Sequence, residues 1–209
     1  MEFNQVMMKR RAVNFFDPTK PVSDDLLKHI IETAALSPSS FNLQPWQLII
    51  VKTPSDKERL KTAAWNQPKI TEAPVVLIII ADKDGWKPGH PVVEKTWQNM
   101  VNLGYLKAEQ RDWFNGGAKF LYEGIEKSLA FAVKNASFFG MALMLAAKNA
   151  GLDSHPMDGF DHEAVRKAFD IPDNYFIPML LAIGYFNEKN KLMPPKWRKS
   201  YEEIVFKTY

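Results

Sequence analysis

The stretch from about Glu123 to Asn149 constrains the fold more than any other part of the sequence. Its centre, Leu129 to Ala147, is apolar nearly all the way round and is broken by Lys134 and Asn135. A membrane span needs roughly 20 nearly uncharged residues, so the expectation is a buried helix and no membrane. Small residues at Ala130, Ala132, Ala136, Gly140 and Ala142 let neighbouring elements come close. A helix this apolar must be covered on most sides, either by its own core or by a second subunit. At 209 residues the chain is long enough to supply such a core as one domain, residues 1–209.

The other elements follow from periodicity and end signals. A short helix is expected from Asn4 to Lys9. A second begins at a Ser23 cap, carries Leu26, Leu27, Ile30, Ile31, Ala34 and Ala35 on one stripe, and is stopped by Pro38. Leu48 to Val51 is a short strand. Thr53 and Pro54 open a helix running to about Ala64. Val75 to Ala81 is an unbroken apolar run of the kind covered on both faces. Lys83 to Pro91 is loop, and helical patterning returns from Trp97 to Arg111. Gly151 ends the long helix with a left-handed residue, Asp161 caps a short helix through Phe169, and Ile177 to Phe186 is a strand. The tail from Asn187 to Tyr209 ends in the β-friendly run Ile204-Val205-Phe206. Roughly six helices and four strands that do not alternate strictly favour an α+β arrangement.

Several function classes drop out early. There is no cysteine, which removes disulfides, thiolate metal sites and a cysteine nucleophile. His29, His90, His155 and His162 show no HExxH spacing, so no metal site is expected. GxGxxG, GxxxxGK[ST] and GxSxG are all absent. Basic residues do not gather in one run, which argues against nucleic acid. The N-terminal MEFNQVMMKRR has no apolar signal region, and the default is a cytoplasmic protein. If the chain is an enzyme, a bound cofactor carries the difficult chemistry.

Four segments remain as candidates. Lys9 to Phe16 puts Arg10 and Arg11 where a short helix gives way to extended chain, a place suited to an anion; the plain alternative is a solvated helix end. Ser37 to Trp46 is a stiff loop exposing short polar groups. Ser154 to Phe160 reads as a loop in which Gly159 permits close approach by a ligand. Lys196, Arg198 and Lys199 form a basic group near the C-terminus, read as serving an anion.

In this order, RRxxxxF from Arg10, PSSxNxQPW from Pro38, PMDGF from Pro156 and PKWR from Pro195 resemble the FMN-dependent nitroreductase family, over Met7 to about Arg198. The resemblance implies a nitroreductase-like fold: a central antiparallel sheet flanked by helices, with the long central helix at a homodimer interface and each FMN held by both subunits. It implies that Arg10, Arg11, Ala12 and Asn14 lie along the ribityl chain, phosphate and pyrimidine edge. Pro38, Ser39, Ser40 and Asn42 would come from the second subunit. Gln67 and Lys69 would face the pyrimidine ring, the backbone of Met157, Asp158 and Gly159 the N5 side, and Lys196 and Arg198 the phosphate.

The implied activity is ping-pong hydride transfer from NAD(P)H through tightly bound FMN to a small flat acceptor such as a nitroaromatic or quinone. No protein nucleophile is needed. The alternative is a flavin-binding or sensing protein without catalysis. Two positions depart from the family's usual pattern: Ala12, where many relatives have Ser, and Asn14, where they have Lys or Arg. Trp97, Trp113, Phe114 and Phe120 could line an acceptor pocket or could be packing residues.

Overall fold

The structure is a computed structural model describing residues 1–209. Its centre is one antiparallel sheet of four strands in the order β1-β2-β4-β3: β1 (Trp46–Val51), β2 (Val75–Asp82), β3 (Asp153–Met157) and β4 (Tyr175–Gly184). Around it run α1 (Phe3–Lys9), α2 (Asp24–Ala34), α3 (Pro54–Ala63), α4 (Lys69–Glu72), α5 (Pro91–Asn102), α6 (Arg111–Tyr122), α7 (Ile125–Asn149), α8 (His162–Ala168) and α9 (Tyr201–Ile204). This is the expected α+β architecture.

All eight residues of β2 are buried, because both faces of the sheet are covered. Strand alternation divides them. Val75, Leu77, Ile79 and Ala81 join Phe131, Ala132, Ala136, Phe139 and Leu143 of α7 in one core. Val76, Ile78 and Ile80 join Leu60 of α3, Ile70 of α4 and Val165 of α8 in the other. The central helix approaches the sheet closely at Gly140, where an added Cβ would lie 3.2 Å from Ile79 Cδ1 and from Met179 Sδ. By length and composition α7 could also cross a membrane; here its buried side, Phe131 through Ala147, rests on the sheet.

Three expectations need correction. The helix expected over Trp97 to Arg111 is two helices, α5 and α6. The first starts earlier, at Pro91, because His90 Nδ1 accepts from the Val92 N–H at 3.3 Å and Pro91 sits at the first helical position. Ser154 to Met157, read as loop, is β3. It is the edge strand of the sheet, with β4 as its only strand neighbour and a single bridge at Ser154 on the other side, so Pro156 opposite Leu181 is tolerated. In the tail, Ile204 closes the helical turn α9 rather than opening a strand, because Ser200 and Glu203 form a capping box. Smaller shifts follow from end chemistry. Gly124, at φ 108, delays the start of α7 to Ile125, and Gly151, at φ 84, ends it as expected.

Candidate functional site

The segment after α1 is laid against the edge strand β3. Val13 N–H donates to Ser154 O at 3.1 Å, Ala12 and Ser154 form a parallel bridge, and the ring nitrogen Nδ1 of His155 lies 2.8 Å from Val13 O. Val13 and Phe16 are sunk in the core. With those two side chains committed inward, the extended chain presents Arg10, Ala12 and Asn14 to the other side. The tail from Lys191 to Arg198 returns over the same place and closes a cavity of about 640 Å³.

Arg10, Arg11, Lys191, Lys196 and Arg198 line that cavity together with Ala12, Asn14 and His155, and no carboxylate does. None of the five cations is in an ion pair anywhere in the chain. Arg10 is the most constrained. Its Nε is buried and has no hydrogen-bond partner. Burial first, then Arg198 and then Arg11, hold its pKa below the ordinary guanidinium value. A guanidinium cannot shed its charge at physiological pH, so a half-buried one with a buried, unsatisfied Nε and no ion-pair partner calls for an anion.

A second group adjoins the first. Gln67 Nε2 donates to Gly159 O at 2.7 Å, and Lys69 Nζ donates to Gln67 Oε1 at 3.1 Å. Burial lowers the Lys69 pKa against the opposing pull of Glu72. Gly159 lies two residues beyond β3, whose His155 lines the cation cavity, so this group lies beside that cavity. The turn is anchored by buried Met157. Neither Asp158 N–H nor Gly159 N–H has a partner in the chain. Gly159 is favoured by space and not, as the sequence suggested, by backbone shape: its φ is not positive, but a Cβ there would stand 3.2 Å from Gln67 Nε2 and from the Trp65 ring.

The loop Pro38–Asn42 is elsewhere. Ser39 Oγ accepts from Gln44 N–H at 3.0 Å, and Ser40 N–H donates to Asn135 Oδ1 at 3.0 Å. Asn135 is fully buried in α7 and donates back to Phe131 O at 2.7 Å. Thr96 of α5 donates to Asn42 O at 3.2 Å. Just beyond the loop, Trp46 stacks on Phe139 with ring centroids 5.1 Å apart. Phe41, Asn42 and Gln44 all hold positive φ, at 54°, 55° and 42°, and these contacts sustain that strain. The loop borders a different cavity, of about 750 Å³, lined largely by amides of Asn42, Gln44, Gln47, Gln98, Asn99 and Asn102.

The chain therefore brings together Arg10, Arg11, Ala12, Asn14, Lys196 and Arg198, and next to them Gln67, Lys69, Met157, Asp158 and Gly159. It does not bring Pro38, Ser39, Ser40 or Asn42 into the same cavity. Two residues went unremarked as functional candidates. Asn135 was visible as a polar break in an apolar helix. His155 was visible only as a member of the PMDGF neighbourhood. Of the four aromatics, Phe114 is core and Trp97 packs on it at 5.5 Å, with the Arg111 guanidinium 5.1 Å from the Trp97 ring. Trp113 and Phe120 are exposed, and none of the four lines either cavity.

A sheet of this order, a buried central helix and a cation cavity beside a strand edge define a class as well as a chain. The nitroreductase family model matches residues 7–185, and the chain belongs to the nitroreductase family. Among its relatives, a Bacillus subtilis protein named as an NAD(P)H nitroreductase, MhqN, is 33% identical over 98% of both chains. A Thermus thermophilus protein named NADH dehydrogenase is 34% identical over 95% of this chain and 92% of its own. A solved Bacillus subtilis structure described as a nitroreductase, ydfN, superposes with a TM-score of 0.91 at 31% identity, over 99% of each chain.

Proposed function

We propose that the chain is one half of an FMN-dependent NAD(P)H oxidoreductase that reduces small flat acceptors such as nitroaromatics or quinones. One observation carries the reading: unpaired cations from both ends of the chain meet in one cavity that has no carboxylate, with the Arg10 Nε buried and unsatisfied. A phosphate monoester supplies the charge and acceptor oxygens such a cavity lacks. When bound, FMN supplies the redox chemistry, accepting hydride from NAD(P)H and passing electrons to an acceptor that takes the nicotinamide's place.

The chain's own residues bind and orient. Arg10, Arg11, Lys196 and Arg198 would hold the phosphate, and Ala12 and Asn14 would lie along the ribityl chain. Gln67, already tied to Gly159 O, and Lys69, tied to Gln67 Oε1, would meet the pyrimidine edge. The free N–H groups of Asp158 and Gly159 would face N5. Lys69 carries a second duty because Asn14 has no charge: it is the cation placed to offset negative charge growing at the pyrimidine edge on reduction.

The other half of the site would be the loop Pro38–Asn42 of a second subunit. Support comes from its distance from its own chain's cation cavity and from apolar surface left uncovered. Ile125 is 88% exposed and Phe138 48% on α7, and Trp197 is 71% exposed in the tail. These exposed apolar side chains are available to a second subunit. Use of NAD(P)H suits a cytoplasmic protein, and a shared site suits a homodimer.

The visible spectrum of the purified protein, before and after adding NAD(P)H, tests the reading. A flavin spectrum that bleaches within turnover time supports it. A colourless protein that takes up no added FMN contradicts it. A flavin that NAD(P)H leaves oxidised points instead to a non-catalytic flavin binder, the reading that Asn14 favours.

A further inference from the structure

One titratable side chain in the cation cavity has no part in the roles assigned so far. His155 lines the cavity from β3, and its imidazole is held through one nitrogen only. Nδ1 lies 2.8 Å from the carbonyl oxygen of Val13. A carbonyl has no proton to give, so Nδ1 carries the proton in that contact. The neutral ring then keeps its lone pair on Nε2, which makes no hydrogen bond within the chain. The Val13 carbonyl belongs to a main-chain segment bound to the same strand through Val13 N–H, so the ring cannot exchange roles between its nitrogens without breaking that contact.

The charges around the ring are nearly all of one sign. Arg10 and Arg11 come from the segment after α1, and Lys191, Lys196 and Arg198 from the tail. Lys69 comes from α4. The carboxylate of Glu72, on the same helix, accepts from Phe16 N–H at 3.4 Å. Burial, then Lys69 and Lys196, keep the imidazole pKa below its ordinary value, outweighing the Val13 carbonyl, which raises it. Without an anion the ring is neutral at neutral pH.

Resting on the FMN reading of the cavity, we propose that His155 is a proton-linked ligand of the cofactor's phosphate. Binding the anion draws one proton from solvent onto Nε2. A lone pair facing phosphate oxygen becomes an N–H donor, and the ring gains a charge opposite to that of its ligand. Arg10, Arg11, Lys196 and Arg198 hold the phosphate at every physiological pH. His155 adds a contribution present below the ring's pKa in the loaded protein and lost as pH rises through it. Cofactor retention is thereby coupled to pH through one residue.

The test compares the full-length protein with His155→Asn, whose side-chain amide can still donate to Val13 O but does not titrate. The FMN dissociation constant is read from flavin fluorescence between about pH 5.5 and 8.5, either side of the ordinary imidazole value. Taking the ratio of variant to wild type cancels the phosphate's own ionisation, near pH 6. The expected ratio is roughly tenfold at the acid end, equivalent to a one-unit change in the ring's pKa, falling to about one at the alkaline end. In FMN-loaded wild type, the His155 ring C–H resonance should titrate above the ordinary imidazole value. A ratio that stays flat with pH overturns the proposal while leaving FMN binding intact. So does a His155 resonance that titrates below the ordinary value with FMN bound, a measurement that needs no variant to fold. Wild type that binds no FMN at any pH removes this proposal and the FMN reading together.

Discussion

The cation cavity and the Pro38–Asn42 loop are both polar, both built from non-helical chain and both candidates for the same ligand, yet they are satisfied in opposite ways. The loop's hydrogen bonds close on themselves: Ser39 Oγ is taken by Gln44 N–H, Ser40 N–H by Asn135, and Asn42 O by Thr96. Its strained backbone is fully supported from within the chain. The cavity's charges meet no carboxylate: Arg11 and Arg198 donate only to backbone carbonyls close in sequence, and the Arg10 Nε has no partner at all. One region is finished as a shape and is ready to be presented to another molecule. The other is unfinished as an electrostatic arrangement and needs a ligand. The contrast separates residues that make a binding surface from residues that supply binding energy.

The largest effect that contrast predicts is in the cavity. Replacing Arg10 and Arg198 together by Ala should weaken FMN binding on the order of a hundredfold or more, since each hydrogen bond to a charged group contributes about 1.5–3 kcal/mol. The thermal stability of the flavin-free protein should hold or rise, because mutual repulsion of the cations is relieved. Equilibrium flavin binding and a melting curve check both halves. The converse holds at the loop. Asn135→Leu leaves Ser40 N–H without its partner and should cost about 1–3 kcal/mol of folding stability, read as a lower Tm. Flavin binding should suffer only as far as the loop shifts.

A smaller effect is expected at the turn beside the cavity. Gly159→Ala pushes a methyl group to 3.2 Å from Gln67 Nε2. It should lower the rate of flavin reduction several-fold, about 1 kcal/mol, with little change in FMN affinity, as stopped-flow reduction by NAD(P)H would show. The smallest is a pH effect on the flavin-free protein. Burial, the leading cause, depresses the His155 pKa in the folded state. Its stability contribution is therefore present above the unfolded-state value, about 6.5, and is lost as pH falls from there through the folded-state value. Tm should decline over that acid window, and His155→Asn should flatten the part of the decline that belongs to the ring.

Much of this was legible from residues alone. β2 was plain because a run with no polar face fits only a strand covered twice, and α7 because its apolar surface is too wide for one side. β3 was hidden: Asp153-Ser154-His155-Pro156-Met157 has no strand periodicity, and its strand character comes from pairing with β4 and from the Arg10–Asn14 segment beside it. The early start of α5 was hidden because His90, not a usual cap, opens it, and the break before α6 follows Gly104, which holds φ 75. At the site, the basic residues could be named but not seen to converge, since the ends of the chain meet only through the tail's return over β3. Asn135 looked like an interruption of a core helix. Its use, pinning a loop 95 positions away in sequence, exists only in the folded chain.

The central claim is that the loop of one protomer completes the cation cavity of the other, and mixed dimers test it most directly. One chain would carry Arg10→Ala with Arg198→Ala, and the other a loop disabled by Ser40→Pro, which removes the N–H held by Asn135. Neither homodimer should hold FMN well. In the mixed dimer one cavity has intact cations facing an intact loop, so the account predicts recovery to about one FMN per dimer, with NAD(P)H-dependent bleaching. A mixed dimer as empty as its parents would mean that each chain builds its site alone, and the shared-site account would be wrong.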